Sequence, residues 1–446
     1  MSHRRRILWV TPYPPRRGQS AARERFWALL ASIAPRHDVT LLTQIDAAER
    51  ELPADLPPRL ADVAYVPRSG EHVPDPCRRL PLEVRCGAVS PALRQVVEQR
   101  LSRERFDVVQ WEFTEMGAAM PPPTIPTIVT AHQLGFVAAL QEWRAHGGVA
   151  SELPRALRRH LRSLHFELSA LSRAHLAITL TPEDAARLRA IVPSLPVAVV
   201  PCGVDAEHFA SHGGPSAAPA DLLFVGNFGH APNRDAVLFV ARDVLPALRA
   251  RGVKLRVVGR HAASQLHALA GAANVELVGE VEDVRPHLRA ARVVVAPVRF
   301  GTGMRGKLLE ALAMGKAVVS TPLGAEGLDA RDGAHLLLAT TAPQWVAAIA
   351  RLLDDPALGE RLGAEGRELV LRRFTWQQVA RAHEDAYARV LRDAVTPRCV
   401  PFRMPRPLPA ALAAFPGPVR RRIAGAAGLS RITVDGLRWY AGRSWP

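Results

Sequence analysis

The sequence predicts an α/β protein made of two doubly wound parallel sheets facing each other across a cleft, and three observations carry that reading. Short β-branched runs alternate with longer helical patterns along the chain, as βαβ units require. The alternation restarts after a Gly/Pro/Ala/Ser-rich stretch between Gly203 and Asp221, where a domain boundary belongs. A length of 446 residues gives room for two or three domains. Two such sheets in tandem turn the carboxyl ends of both strand sets toward one crevice, the usual seat of a ligand in open α/β sheets.

In the first half the strand candidates are Ile7–Thr11, Asp38–Thr43, Asp62–Val66, Val108–Trp111, Thr127–Thr130, Leu176–Thr179 and Val197–Val200. Each is a short apolar run of the kind a strand buried on both faces needs. The segment Pro154–Ser172 is helical in pattern: Leu157, Leu161, Leu164, Leu168 and Leu171 recur at spacings of four and three, with Arg155, Arg158, Arg159 and Arg162 off the stripe. A leucine stripe is first of all a core face, and the same pattern also suits a basic amphipathic helix resting on anionic lipid. In the second half the candidates are Leu222–Val225, Leu255–Val258, Val275–Val278, Val293–Pro297, Val318–Ser320 and Leu336–Leu338. The expected division is a first domain over 1–205, a second over 206–375, a helix over 376–396 that packs back toward the first domain, and a basic Pro-rich tail over 397–446.

Composition narrows the function classes. With 48% hydrophobic and 22% charged residues the chain is an ordinary globular protein. No apolar run approaches the roughly 18 residues that cross a bilayer, and Ile7-Leu8-Trp9-Val10 after the basic start is too short for a signal-peptide core. Cys77, Cys86, Cys202 and Cys399 form no CxxC pair, so neither a zinc module nor a disulfide framework is expected. A cytoplasmic location follows, with peripheral contact at the inner face of an anionic membrane as a further expectation. The net charge is +16, but nine Arg against one Asp between Pro397 and Pro446 supply half of it. Nucleic acid is not an expected partner, because basic and aromatic residues are not interleaved outside that tail.

The chemistry concentrates in Val293–Lys316, which reads strand, glycine loop, helix. Glycines permit a tight turn, and a helix that follows directly presents free N–H groups to an anion, so a phosphate fits there. Gly301-x-Gly303-x-x-Gly306 matches a dinucleotide fingerprint, and Gly301-x4-Gly306-Lys307 matches a P-loop up to its last position. Leu308 has no hydroxyl for Mg²⁺, and the loop follows the fourth strand of its domain rather than the first, so neither reading holds. Arg305 and Lys307 are close enough to the helix start to neutralise a diphosphate, and Glu310 on the same face can accept two hydroxyl hydrogen bonds from a ribose. An ordinary Lys307–Glu310 ion pair on an exposed helix is the plain alternative. His132 ends a strand, and an isolated histidine is by itself more often structural than functional.

Gly301-x-Gly303-x-Arg305-x-Lys307-x-x-Glu310, continuing through Gly315-Lys316, Val318-Val319-Ser320 and Gly324-Ala325-Glu326-Gly327-Leu328, resembles the donor-site block of the retaining family-4 glycosyltransferases of GT-B fold. Pro201-Cys202-Gly203-Val204-Asp205 resembles that family's ending of the first domain. Phe224-Val225-Gly226-Asn227 with Pro232-Asn233, Val257-Val258-Gly259-Arg260 and Val278-Gly279 resemble its second-domain strands, and Thr11-Pro12-Tyr13-Pro14-Pro15-x-x-Gly18 its first glycine loop.

The resemblance spans about residues 5–393 and implies a GT-B fold with an acceptor-side first domain and a nucleotide-sugar-binding second domain. It also implies a nucleotide-sugar co-substrate, a glycan or lipid-linked acceptor, and no metal or other cofactor. It makes His132 the residue facing the sugar, Arg305 and Lys307 the groups that stabilise the leaving diphosphate, and Gly18, Gly226, Asn227, Arg260, Gly279, Gly301, Thr302, Gly303 and Glu310 the donor-binding set. Two departures stand out. Thr302 occupies the position of the family's first glutamate, and Asn227 and Asn233-Arg234 stand where an Arg and a downstream Lys are common. A subset associated with exopolysaccharide biosynthesis shares this arrangement. A nucleotide-sugar epimerase or hydrolase of the same fold, and a non-catalytic nucleotide-binding scaffold of a polysaccharide-assembly complex, are the rival readings.

Overall fold

The computed structural model describes residues 4–18, 20–49, 55–68, 89–210 and 217–393; the tail over 397–446 lies outside the described residues. Seven parallel strands form the first sheet: β1 (Arg6–Thr11), β2 (Asp38–Ile45), β3 (Asp62–Pro67), β4 (Val108–Glu112), β5 (Thr127–Ala131), β6 (Leu176–Thr179) and β7 (Val197–Val199), in the order β3-β2-β1-β4-β5-β6-β7. Six form the second: β8 (Ala220–Val225), β9 (Leu255–Val258), β10 (Val275–Gly279), β11 (Ala291–Ala296), β12 (Val318–Ser320) and β13 (Leu337–Leu338), in the order β10-β9-β8-β11-β12-β13. The strand order reverses beside β1 and β4 in one sheet and beside β8 and β11 in the other. Each reversal opens a crevice at the strand ends, and the two crevices face each other across a cleft. Two Rossmann-like sheets so arranged constitute the GT-B architecture.

Burial follows the strand pattern. Ile7, Leu8, Trp9 and Val10 of β1 are all 0% exposed, which explains why this strand reads as a continuous apolar run rather than an alternating one. β4 runs one residue beyond its expected end because Glu112, charged but fully buried, stays in the ladder opposite Thr130. Helix Leu153–Leu171 packs on helix Gly135–Ala145, burying Leu168 and Leu171 and leaving Leu157, Leu161 and Leu164 half-buried. Its Glu167 accepts the Gly135 and Phe136 N–H groups at 3.2 and 3.0 Å, capping the neighbouring helix.

The chain crosses between the two halves twice, and the crossings hold each other. The Val204 N–H donates to the Phe374 carbonyl at 2.8 Å, and Val204 bridges Thr375. Buried Arg25 donates to the carbonyls of Val200 and Pro201 just before the first crossing. After the second, helix Trp376–Asp393 lies against the first sheet. His383 stacks on Trp9 with ring centroids 5.3 Å apart and donates from Nε2 to Gln110 Oε1 at 2.9 Å.

At the crossing, a Cβ on Gly203 would stand 2.5 Å from the Trp376 ring, which is too rigid to yield. Gly203→Ala is expected to lower stability by about 1–3 kcal/mol through overpacking. Gly359→Ala, inside helix Pro356–Arg373 where a Cβ meets only Ala317 at 3.5 Å, should raise it by up to about 1 kcal/mol through helix propensity. Urea denaturation midpoints of the two variants, compared with the parent, check both signs.

Candidate functional site

The glycine loop leaves β11, turns at Gly301 and Gly303, whose φ values are 99° and 79°, and enters helix Gly306–Ala313. It is docked on the first domain. The Gly301 N–H donates to Gln141 Oε1 at 2.9 Å and the Gly303 N–H to Asp184 Oδ2 at 3.0 Å. Buried Thr302 accepts the Leu134 N–H on its hydroxyl at 2.6 Å. A Cβ at Gly303 would lie 2.2 Å from the His132 carbonyl oxygen, so only glycine allows this approach. The N–H groups of Gly301 and Gly303 are therefore bonded to first-domain side chains, and the helix start, where the sequence places a phosphate, has no side-chain cap among the described residues.

That helix start carries two half-buried cations. Arg305 spends Nη1 on the Thr302 carbonyl at 2.7 Å, while Nε and Nη2 are buried without a partner. The Lys307 ammonium lies 4.1 Å over the Phe224 ring and donates to Asn233 Oδ1 at 2.6 Å. Asn233 is itself anchored by its Nδ2 donating to the Asn227 carbonyl at 2.8 Å. Burial, with Arg305 adding, pushes Lys307 down to about 7, and His230 beside the same two cations falls to about 4 for the same reasons. The expected alternative of a Lys307–Glu310 ion pair does not form. Glu310 has no hydrogen-bond partner among the described residues, and burial, with Glu24 adding, raises it to about 7.

The remaining expected positions divide in two. Gly18 donates to Glu24 Oε2 at 2.9 Å, which brings the first glycine loop to the carboxylate that faces Glu310. Gly226 donates to the Val258 carbonyl at 3.0 Å, and Asn227 turns the chain by accepting the Gly229 N–H at 2.9 Å. Arg260 pairs with Glu280 at 2.6 Å at the surface, and Gly279 accepts the Gly259 N–H at 2.6 Å. No described contact joins Arg260 or Gly279 to Arg305 or Lys307.

His132, 8% exposed, lies on the first-domain side of the same loop with its Nε2 2.7 Å from Glu112 Oε2. Sequence reasoning missed Glu112, Gln141, Asp184 and Arg187. Arg187 donates to Asp184 at 2.7 Å and to both Glu326 oxygens at 2.9 and 2.5 Å, joining the two domains through a buried ion pair. Asp184 was legible as the last residue of a Thr-Pro-Glu-Asp helix start, whose Thr181 hydroxyl accepts the Asp184 N–H at 3.1 Å. Chemically the cleft offers a seat for a doubly charged anion, a carboxylate one turn along for hydroxyl groups, and an imidazole opposite.

Residues 24–208 match the family described as Glycosyltransferase Family 4, and residues 219–355 match Glycosyl transferases group 1. Over 196 residues the chain is 35% identical to the phosphatidyl-myo-inositol mannosyltransferase of Mycobacterium tuberculosis (strain CDC 1551 / Oshkosh), covering 41% of this chain and 51% of that one. The chain thus spans about half the length of the curated relatives it matches. Sucrose-phosphate synthase from Thermosynechococcus elongatus superposes with a TM-score of 0.67 at 20% identity, covering 88% of this chain and 100% of that one. Anabaena Alr3699/HepE in complex with UDP and glucose gives 0.59 at 14% identity, covering 86% and 100%. At these identities the structural likeness is one of fold.

The depressed Lys307 ties anion binding to pH. A lysine that is neutral above about 7 in the free protein must take up a proton to meet an anion, so affinity falls as pH rises, approaching about tenfold per unit. Sulfate keeps its charge across this range and isolates the protein's contribution. Titration calorimetry with sulfate between pH 6 and 9 should show the loss, and Lys307→Met should flatten it.

Proposed function

We propose that this chain, related through both of its halves to the family-4 glycosyltransferases of GT-B fold, transfers a sugar from a nucleotide-sugar donor to a glycan or lipid-linked acceptor, with retention of configuration and in the service of exopolysaccharide or glycoconjugate synthesis. The observation that carries the reading is Arg305, half-buried with two buried, unsatisfied nitrogens beside Lys307 at an uncapped helix start. Such a seat gains most when negative charge arrives on it, and the charge that grows on a departing diphosphate is of that kind. Glu310 one turn on accepts ribose hydroxyls, and His132 meets the transferred sugar from the acceptor-side domain. The acceptor hydroxyl attacks on the face the diphosphate vacates, so the protein supplies no nucleophile.

Several observations support the finer parts of this reading. The curated relative above is named for transfer to a lipid-linked inositol. Arg155, Arg158 and Arg159 are exposed beside the half-buried Leu157 and Leu161, a surface suited to peripheral contact with anionic lipid. Among the described residues no helix is long and apolar enough to cross a membrane. A nucleotide-sugar epimerase or hydrolase is favoured by one feature, the facing carboxylates of Glu24 and Glu310, both raised above the ordinary range chiefly by burial.

A panel of nucleotide sugars, followed by release of nucleoside diphosphate with and without a crude lipid acceptor, tests the reading. Release that needs acceptor supports transfer, release or inversion without it supports the rival, and binding without consumption of any donor overturns both. Glu310→Gln should weaken nucleoside and nucleoside diphosphate alike, by roughly 1.5–3 kcal/mol or about ten- to a hundredfold. Arg305→Ala and Lys307→Ala should weaken only the diphosphate and lower turnover more than affinity, and their double variant should be non-additive because they share one anion. If all three variants bind diphosphate and turn over like the parent, the phosphate seat lies elsewhere.

A further inference from the structure

We infer that Glu112 is a positioning residue for the transfer reaction: it holds the His132 ring as the Nε2–H tautomer, so that Nδ1 faces the cleft as a hydrogen-bond acceptor for a substrate hydroxyl. The inference rests on the glycosyltransferase reading for what the hydroxyl belongs to, and on geometry for the rest. Glu112 is 0% exposed at the end of β4. Its Oε1 accepts Trp9 Nε1–H at 3.0 Å and Gln110 Nε2–H at 2.7 Å, and its Oε2 lies 2.7 Å from His132 Nε2. A carboxylate can only accept, so the imidazole nitrogen facing it carries the proton.

The ring is held on its other sides as well. Phe113 stacks on it with centroids 3.9 Å apart and planes 7° from parallel, and Phe26 meets it edge-on at 5.6 Å. To stack there, Phe113 adopts a φ of 73°, a conformation that costs a bulky residue free energy and that persists only where the surroundings impose it. With Nε2 taken and both rings in place, Nδ1 is the ring atom with no described partner and no full burial. The His132 carbonyl lies against Gly303, so the residue itself borders the glycine loop.

The charge state is consistent with this arrangement. Burial opposes the Glu112 charge, yet the His132 hydrogen bond and nearby Arg25 keep it below the ordinary carboxylate range. Burial lowers His132, against the pull of Glu112, so the imidazole is neutral at pH 7. The groups that face the pair include Arg25 from helix Ala21–Ile33, His383 and Tyr387 from helix Trp376–Asp393, Tyr13 after β1, Trp9 from β1, and Gln110 from β4 itself. His383 reaches the pair through Gln110, whose Oε1 accepts from His383 while its Nε2 donates to Glu112. A neutral His132 that accepts at Nδ1 cannot donate to a phosphate oxygen from that atom, and it can take a hydrogen bond from an alcohol.

The decisive measurement is made on the parent protein: long-range proton–nitrogen correlation spectra of ¹⁵N-histidine-labelled protein at pH 7, with His132 assigned by difference from His132→Gln. A pyrrole-type Nε2 and a pyridine-type Nδ1 are expected; the opposite tautomer, or an imidazolium, overturns the inference whether or not the chain proves to be a transferase. In Glu112→Gln the tautomer preference should weaken, and turnover should fall on the order of tenfold or more with nucleoside diphosphate affinity unchanged within about twofold. An equal loss in both would make Glu112 merely structural. Donor hydrolysis without acceptor separates the two sources of the hydroxyl: it slows in Glu112→Gln if the hydroxyl is the sugar's, and is spared if it is the acceptor's.

Discussion

The absent side chain at Gly303 sets how closely the two domains meet. With the His132 carbonyl 2.2 Å from where a Cβ would be, backbone touches backbone across the cleft, and the neighbouring contacts need that distance. Asp184 reaches the Gly303 N–H and Thr302 reaches Leu134 only because the loop lies flat against the first domain. A loop held off by one methyl group would separate the imidazole on one wall from the cations on the other. Thr302, at the position where the resembling family has a glutamate, is thereby given to the domain contact.

Buried charge is handled in two opposite ways within this cleft. Arg187 is matched in charge: Asp184 and Glu326 share its guanidinium, and these pairings offset the cost of burying it. Among the described residues, Arg305 and Lys307 form no ion pair with a carboxylate, and the Glu310 carboxylate accepts no hydrogen bond. Leaving an ion buried without a partner is costly, and folds retain such groups where a ligand completes them. The shifts of Lys307 and Glu310 toward neutrality measure the same deficit from the two sides of the proton equilibrium. The matched network therefore fixes the frame, and the unmatched one defines what enters it.

Most of the fold was legible because strand burial writes itself locally. β6, β9 and β12 begin and end where their apolar runs do, and the others differ by a residue or two at either end. The glycine loop was legible for a similar reason, since a turn and a helix start are local events. What escaped were partners far apart in sequence: Asp184 lies 119 residues from Gly303, Glu326 lies 139 from Arg187, and Asn233 lies 74 from Lys307. The i, i+3 rule suggested Glu310 as the Lys307 partner, and tertiary structure supplied an amide instead. Glu112 was invisible for a different reason. A charged residue at a strand end reads as a boundary, and only three converging donors make it a buried member of β4.

The double crossing at Val204 and Phe374 has a consequence for how such a protein can be inherited or rebuilt. The first domain is discontinuous in sequence: its sheet is completed by helix Trp376–Asp393, whose His383 lies on Trp9 and whose Glu384 pairs with Arg36 at 2.9 Å. Recombination at a single junction near Val204 would join one parent's sheet to another parent's covering helix and mismatch the stack on Trp9. A workable hybrid must exchange the middle of the chain as an insert, with both junctions at the paired crossings and both flanks from the same parent. The second domain is in that sense a cassette carried within the first, and it can be replaced while the wall bearing His132 stays intact.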